Sequence, residues 1–188
     1  MTYDNVGIET RKLGMWLFLA SEVMFFTGLI GAYIVIRQAV HHWPVPSQTL
    51  NIPLTAFNTF LLICSSATLV KGLASAQDGD KEGMQVGIFL TFLLGALFLA
   101  IQGHEYHELI HVKHFTPSSS IFGACFFTMT GFHGMHVLVG VCCLLFVFIR
   151  SLKGGYTPQE NRGIEVAGLY WHFVDLVWII LFTIVYLI

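Results

Sequence analysis

The densest run of chemistry-bearing side chains is QGHEYHELIHVKH, residues 102–114. His104, His107, His111 and His114 recur at three- and four-residue intervals, so a helix carries them along one side, with Glu105 and Glu108 between them. Imidazoles and carboxylates at that spacing are metal-ligand chemistry, and Glu108 with His111 forms E-x-x-H, half of a di-iron carboxylate signature. No second E-x-x-H occurs, and the three clusters of His-rich membrane desaturases are not reproduced, the second apolar span carrying no His. The run also falls where an apolar stretch ends, and there wet His and Glu are inexpensive. The expectation is an interfacial, solvated helix end comprising His104, Glu105, His107, Glu108 and His111. Its rival is a stand-alone His-rich membrane metalloenzyme using His104, His107, Glu108 and His111.

A second set of groups lies inside apolar runs, where an ionised carboxylate at the helix centre costs roughly 2.5–3.5 kcal/mol on insertion scales. Glu22 is nine residues past Leu13, and Asp175 nine past Val166. Each is therefore about 14 Å along its helix at 1.5 Å per residue. His172 stands three residues before Asp175, and His133 and His136 share the same spacing. Glu22, His133, His136, His172 and Asp175 thus have reason to face protein and one another. Such a set acts as a polar network fixing helix packing, or as a proton relay or metal site. The specific expectation is that Glu22 hydrogen-bonds His133, joining the first and fourth helices at mid-membrane.

The elements that must position these groups follow from composition. The chain has 188 residues, 55% hydrophobic and 11% charged, against about 25% charged in soluble domains. Its mean hydropathy is +0.73. Net charge −2 excludes a nucleic-acid binder, and the apolar fraction excludes disorder. Cys64, Cys125, Cys142 and Cys143 all sit in apolar runs and read as small hydrophobes rather than disulfide or zinc ligands. There is no phosphate-cradling Gly-rich loop, no G-x-S-x-G and no C-x-x-C.

Spans long enough for a bilayer cover 13–36, 54–73, 84–103, 120–149 and 166–188. The fold class is all-α: one polytopic domain over 1–188, a five-transmembrane-helix bundle with no cleavable signal. The connector 41–53 contains three prolines, and 76–83 is short and glycine-punctuated, making helices two and three antiparallel neighbours. Thr116-Pro117-Ser118 starts the fourth helix. Small residues at Gly28 and Ala32, and at Ala96 and Ala100, allow close helix approach. Phe122, Phe126, Phe127, Phe132, Trp171 and Trp178 read as lipid-facing or packing residues. Arg11, Lys12, Lys71, Lys81, Arg150, Lys153 and Arg162 fall on one side, and only Arg37 and Lys113 on the other. This places the N-terminus inside and the C-terminus outside.

SEVMFFTGL (21–29), GDKEGMQ (79–85), QGHEYHE (102–108), GFHGMHVLVG (131–140) and YWHFVDLVW (170–178) occur in that order. From about Leu13 to its end, the chain resembles subunit III of the heme–copper terminal oxidases of the cytochrome c oxidase type. The resemblance implies a non-redox accessory subunit with no catalytic, cofactor or metal residue of its own. Heme and copper would reside in partner subunits, with subunit I, and also subunit II, as neighbours in a hetero-oligomer. It implies membership of a proton-pumping respiratory oxidase in the bacterial cytoplasmic (inner) membrane. It further implies support of proton uptake into subunit I and structural phospholipid between the helices. Glu22 matches the family's buried, carbodiimide-reactive carboxylate and His133 the group hydrogen-bonded to it. Trp171, His172 and Asp175 match the last-helix motif, with a packing and network role. Many family members have two further N-terminal helices forming one arm of a lipid cleft. This chain begins at the third, as the quinol-oxidase versions do, and 1–10 lacks proton-collecting histidines. A quinol oxidase and an accessory protein of nitric oxide reductase are the alternatives within this resemblance.

Overall fold

A computed structural model describes residues 10–40, 43–44 and 50–188, the first two as backbone only. The expectations for 1–9, the Arg11 side chain and most of the 41–53 connector lie outside the described residues. Among the described residues, five helices are long and apolar enough to cross a membrane. They are α1 (Thr10–Ala39), α2 (Ile52–Asp78), α3 (Lys81–His107), α4 (Ile121–Leu152) and α5 (Arg162–Phe182). α3 and α5 each run on into a π-helical turn, Glu108–Val112 and Thr183–Leu187. All but α4, which starts one residue inside its run, begin before their apolar runs, and α1 to α4 also outlast theirs. Hydropathy marks only the hydrocarbon-matched centre, whereas polar ends keep their helical backbone bonds in wetter surroundings.

Local chemistry accounts for the boundaries. Asn51 caps α2, accepting from the Leu54 amide at 3.3 Å, and Pro53 sits in the first turn, where its missing N–H leaves no bond unmade. Gly79 ends that helix at φ +82°, a left-handed conformation suited to glycine. Asp80 then caps α3 by accepting from Gly83. Thr116-Pro117-Ser118 does not start α4 as expected. Those residues form a separate turn, and Ser120 is the cap, accepting from Gly123 at 2.9 Å.

α2 and α3 form an antiparallel hairpin, the most extensive contact in the bundle. Close approach there is made by glycines not singled out from sequence. A Cβ on Gly87 would lie 2.5 Å from the Gly72 Cα, and Thr68 and Thr91 hydrogen-bond beside the crossing at 2.9 Å. Gly28, by contrast, has nothing within 4 Å of its would-be Cβ, so it makes no close crossing within this chain. Gly87→Ala is expected to push the hairpin apart at backbone level and cost about 1–3 kcal/mol. The thermal half-life of the folded chain in mild detergent measures this, and an unchanged half-life would refute the crossing.

α5 lies at the centre, packed on α4 and α2, with α1 against its other side. Trp171 of α5 is the keystone. Its indole fills the slot between Gly95 of α3 and Gly140 of α4, where added Cβ atoms would lie 2.5 and 2.8 Å from the ring. Its Nε1 donates to Ser65 Oγ of α2 at 2.9 Å. Trp178, two turns on, donates likewise to Thr59 at 2.9 Å. Both indoles, with Phe122 and Phe126, are core residues, while Phe132 is partly exposed. α1 is peripheral: among its described residues only Leu19, Phe26 and Tyr33 are buried, a seven-residue repeat that lays one stripe on the bundle. Its ends are tied by Lys12 to Glu165 at 2.7 Å and by Arg37 to the Ile188 carbonyl.

Candidate functional site

Glu22 sits on the inward stripe of α1, three residues after Leu19 and four before Phe26, so α1 carries it against α4. Its partner is His136, not His133 as expected. Glu22 Oε2 lies 3.0 Å from His136 Nε2, the side chains 18% and 13% exposed. The other ring nitrogen, Nδ1, lies 2.7 Å from the Phe132 carbonyl. A carbonyl only accepts, so Nδ1 carries a proton. Nε2 then either accepts from a Glu22 hydroxyl or, protonated, donates to a Glu22 carboxylate. One proton is shared across the contact, and the pair is neutral overall either way. The Phe26 ring meets the imidazole edge-to-face at 5.1 Å, Phe25 meets Phe132 at 5.1 Å, and Tyr170 donates to the His136 carbonyl at 3.0 Å. These rings flank the contact and cover part of it.

His133 points elsewhere. Residues three apart on an α-helix project about 60° apart, and that difference sends His133 into the bundle. There it stacks on Trp178 at 4.8 Å and meets Phe98 edge-on at 6.0 Å. It is fully buried, and neither ring nitrogen has a hydrogen-bond partner among the described residues. His172 lies on a third face, its Nδ1 2.5 Å from Ser66 Oγ of α2. Asp175 is 7% exposed with its Oδ1 unpartnered. The five groups expected to form one network therefore occupy three separate places: a Glu22–His136 contact, a caged His133, and a His172–Ser66 contact beside Asp175.

The 104–111 cluster also divides. His104, His107 and His111 are exposed, as a solvated helix end requires, and Glu108 is half-buried with Lys113 at 3.6 Å. Glu105 breaks the expectation. It is only 5% exposed and accepts from Thr55 Oγ1 of α2 at 3.1 Å, because it falls on the α3 face that the hairpin closes. Contrary to the expectation that no H-E-x-x-H motif is present, the His107–Glu108–Leu109–Ile110–His111 run has that spacing, known from zinc peptidases. It lies in the π-helical turn, and the two imidazoles are 4.6 Å apart by ring centroids. Among the described residues no three His, Cys, Asp or Glu groups converge as metal ligands. If the resemblance to an oxidase subunit holds, changing His107 and His111 together to Asn is expected to leave oxygen consumption of that oxidase nearly intact. A loss beyond about tenfold, roughly 1.4 kcal/mol in barrier, would restore the metal-site reading.

Comparison with known proteins completes the description of these residues. A family model described as cytochrome c oxidase subunit III matches residues 4–188. A probable cytochrome c oxidase subunit 3 of Nocardia farcinica is 42% identical over 176 residues, covering 93% of this chain and 86% of that one. Cytochrome c oxidase subunit 3 of Thermostichus vulcanus is 38% identical over 180 residues, covering 95% and 88%. The protein of that name from Loxodonta africana is 39% identical over 187 residues, covering 95% and 69%.

Proposed function

Because the chain belongs to the cytochrome c oxidase subunit III family, we propose that it serves its heme–copper oxidase by holding the catalytic assembly together and supporting proton supply, without a redox centre of its own. It is a multi-pass membrane protein and part of a hetero-oligomeric oxidase complex. In the proposal its neighbours are subunit I, which carries heme and copper, and subunit II, in a bacterial cytoplasmic membrane. Cytochrome c, the donor in the relatives' names, is favoured over quinol.

The observation that carries this reading is the family match over residues 4–188, within which the Glu22–His136 contact joins the peripheral α1 to the core. A half-buried acid–imidazole contact that shares one proton suits a fastening role, because it leaves no net charge in the hydrocarbon region. In the proposal the α2–α3 turn faces inside, the side the Lys and Arg distribution favours. Asp78, Asp80 and Glu82 stand exposed at that end, which in this reading is the side of proton uptake. Phospholipid suits the apolar groove of about 680 Å³ lined by Phe18, Val139, Phe146, Arg150 and Tyr170, with Arg150 positioned for a headgroup phosphate.

Tagged purification in mild detergent with a reduced-minus-oxidised spectrum tests the proposal. Heme bands that co-purify with this chain in stoichiometric amount are expected. A chain purified free of any heme protein, with stoichiometric iron bound to itself, would overturn it.

A further inference from the structure

An ionisable side chain of α5 reaches the outer surface of the bundle at mid-membrane depth. His172 stands ten residues past Arg162, where α5 begins, and so about 15 Å along that helix at 1.5 Å per residue. Its Nδ1 lies 2.5 Å from Ser66 Oγ of α2. Both side chains stay part-exposed, and the imidazole Nε2 makes no hydrogen bond among the described residues. Whichever tautomer the ring adopts, Nε2 presents a donor or an acceptor to its surroundings. Lipid tails offer neither, which is why ionisable groups at this depth face protein or a water-filled cavity.

The surface around His172 has the pattern of a helix-docking seam. Trp171 bonds Ser65 and Trp178 bonds Thr59, so α2 and α5 run antiparallel in a fixed register. In that register Ile63 and Leu176 stand about one turn from the Ser66–His172 contact on the same side of it. Ile63 is 44% and Leu176 57% exposed, and Val70, one turn the other way on α2, is 55% exposed. Ile63, Ser66 and Val70 on α2, with His172, Leu176 and Ile179 on α5, thus form two outward stripes at the three- and four-residue spacing by which a helix is gripped. The outward face of α3 differs: Val86, Phe89, Leu93 and Leu97 are exposed there and all are apolar, as contact with lipid requires.

We propose that the α2–α5 seam receives a transmembrane helix of the heme-bearing catalytic subunit, which sets a polar side chain against His172 Nε2. The identity of this partner rests on the oxidase reading above; the demand for a polar cover at His172 comes from the unbonded imidazole nitrogen itself.

Photo-crosslinking in the assembled complex tests the seam. p-Benzoylphenylalanine placed at Leu176 or at Ile63 is expected to join this chain to the heme-bearing subunit, while the same group at Leu93 on α3 gives lipid adducts only. Lipid adducts alone from both seam positions, or a crosslink from them to a second copy of this chain, would overturn the proposal. Added bulk gives a second readout. Leu176→Trp changes an exposed side chain and leaves the core of this chain untouched. It is expected to lower the heme that co-purifies per subunit about tenfold, the scale of one overpacked contact, whereas Leu93→Trp retains it. Full heme retention in Leu176→Trp would remove the docking site and leave the oxidase reading standing. A wild-type chain that brings down no heme protein would remove the oxidase reading and this partner with it.

Discussion

Trp171→Ala is expected to release this subunit from the complex under conditions where the wild type stays bound. Truncating a buried Trp costs about 3–5 kcal/mol in well-packed cores. Here the loss falls on every helix of the core at once, since the indole of α5 fills the Gly95–Gly140 slot between α3 and α4 and reaches Ser65 on α2. In a membrane the helices gain little from the hydrophobic effect, so the contacts of this ring, not water exclusion, carry the association. Trp171→Phe separates packing from hydrogen bonding. A phenyl ring still occupies the slot but cannot donate to Ser65, and the expected cost falls to about 1 kcal/mol for the lost bond, plus a partial cavity. Co-purification with heme, followed across a temperature series, measures both variants. Wild-type retention of the subunit in Trp171→Ala would remove the indole from its keystone role.

Glu22 yields the second large effect. Glu22→Gln keeps the shape and can donate its amide N–H to His136 Nε2, since Nδ1 is already committed to the Phe132 carbonyl. Turnover and its lifetime are expected to stay near wild type. Glu22→Ala leaves the half-buried His136 Nε2 without its carboxyl partner, a loss of about 1–3 kcal/mol. It also removes a polar side-chain contact between α1 and α4. Loss of oxygen-reduction activity during sustained turnover should then run about fivefold to a hundredfold faster, at 1.4 kcal/mol per factor of ten. Equal slowing of initial turnover by Gln and Ala would show instead that the shared proton is used in the cycle. Wild-type behaviour of Glu22→Ala in both rate and lifetime would exclude either role.

Much of the architecture was legible because hydrocarbon solvent imposes a simple rule: backbone polar groups must be satisfied within the segment, so long charge-poor runs become helices. The caps at Asn51, Asp80 and Ser120, and the glycine turn at 79, are equally local, since each satisfies orphan amides from a residue or two away. The candidate site was legible in its membership and illegible in its pairing. That Glu22, His133, His136, His172 and Asp175 would avoid lipid follows from the cost of burying them. Which of them touch depends on which helix occupies the neighbouring sector.

Local pattern and the expense of polar groups in lipid thus determined the helices, their antiparallel hairpin and the residues worth watching. Tertiary structure alone decided the partners. A step of about 60° around α4 turns His136 to α1 and Glu22, and His133 to the aromatic core. Closure of the α2–α3 hairpin buries Glu105, which the same three- and four-residue spacing had placed among exposed histidines. The glycines that matter, at 72, 87, 95 and 140, stand where another backbone or the Trp171 ring passes. Spacing along one helix sets the direction of each side chain to within a sector, but what fills that sector belongs to a different part of the chain.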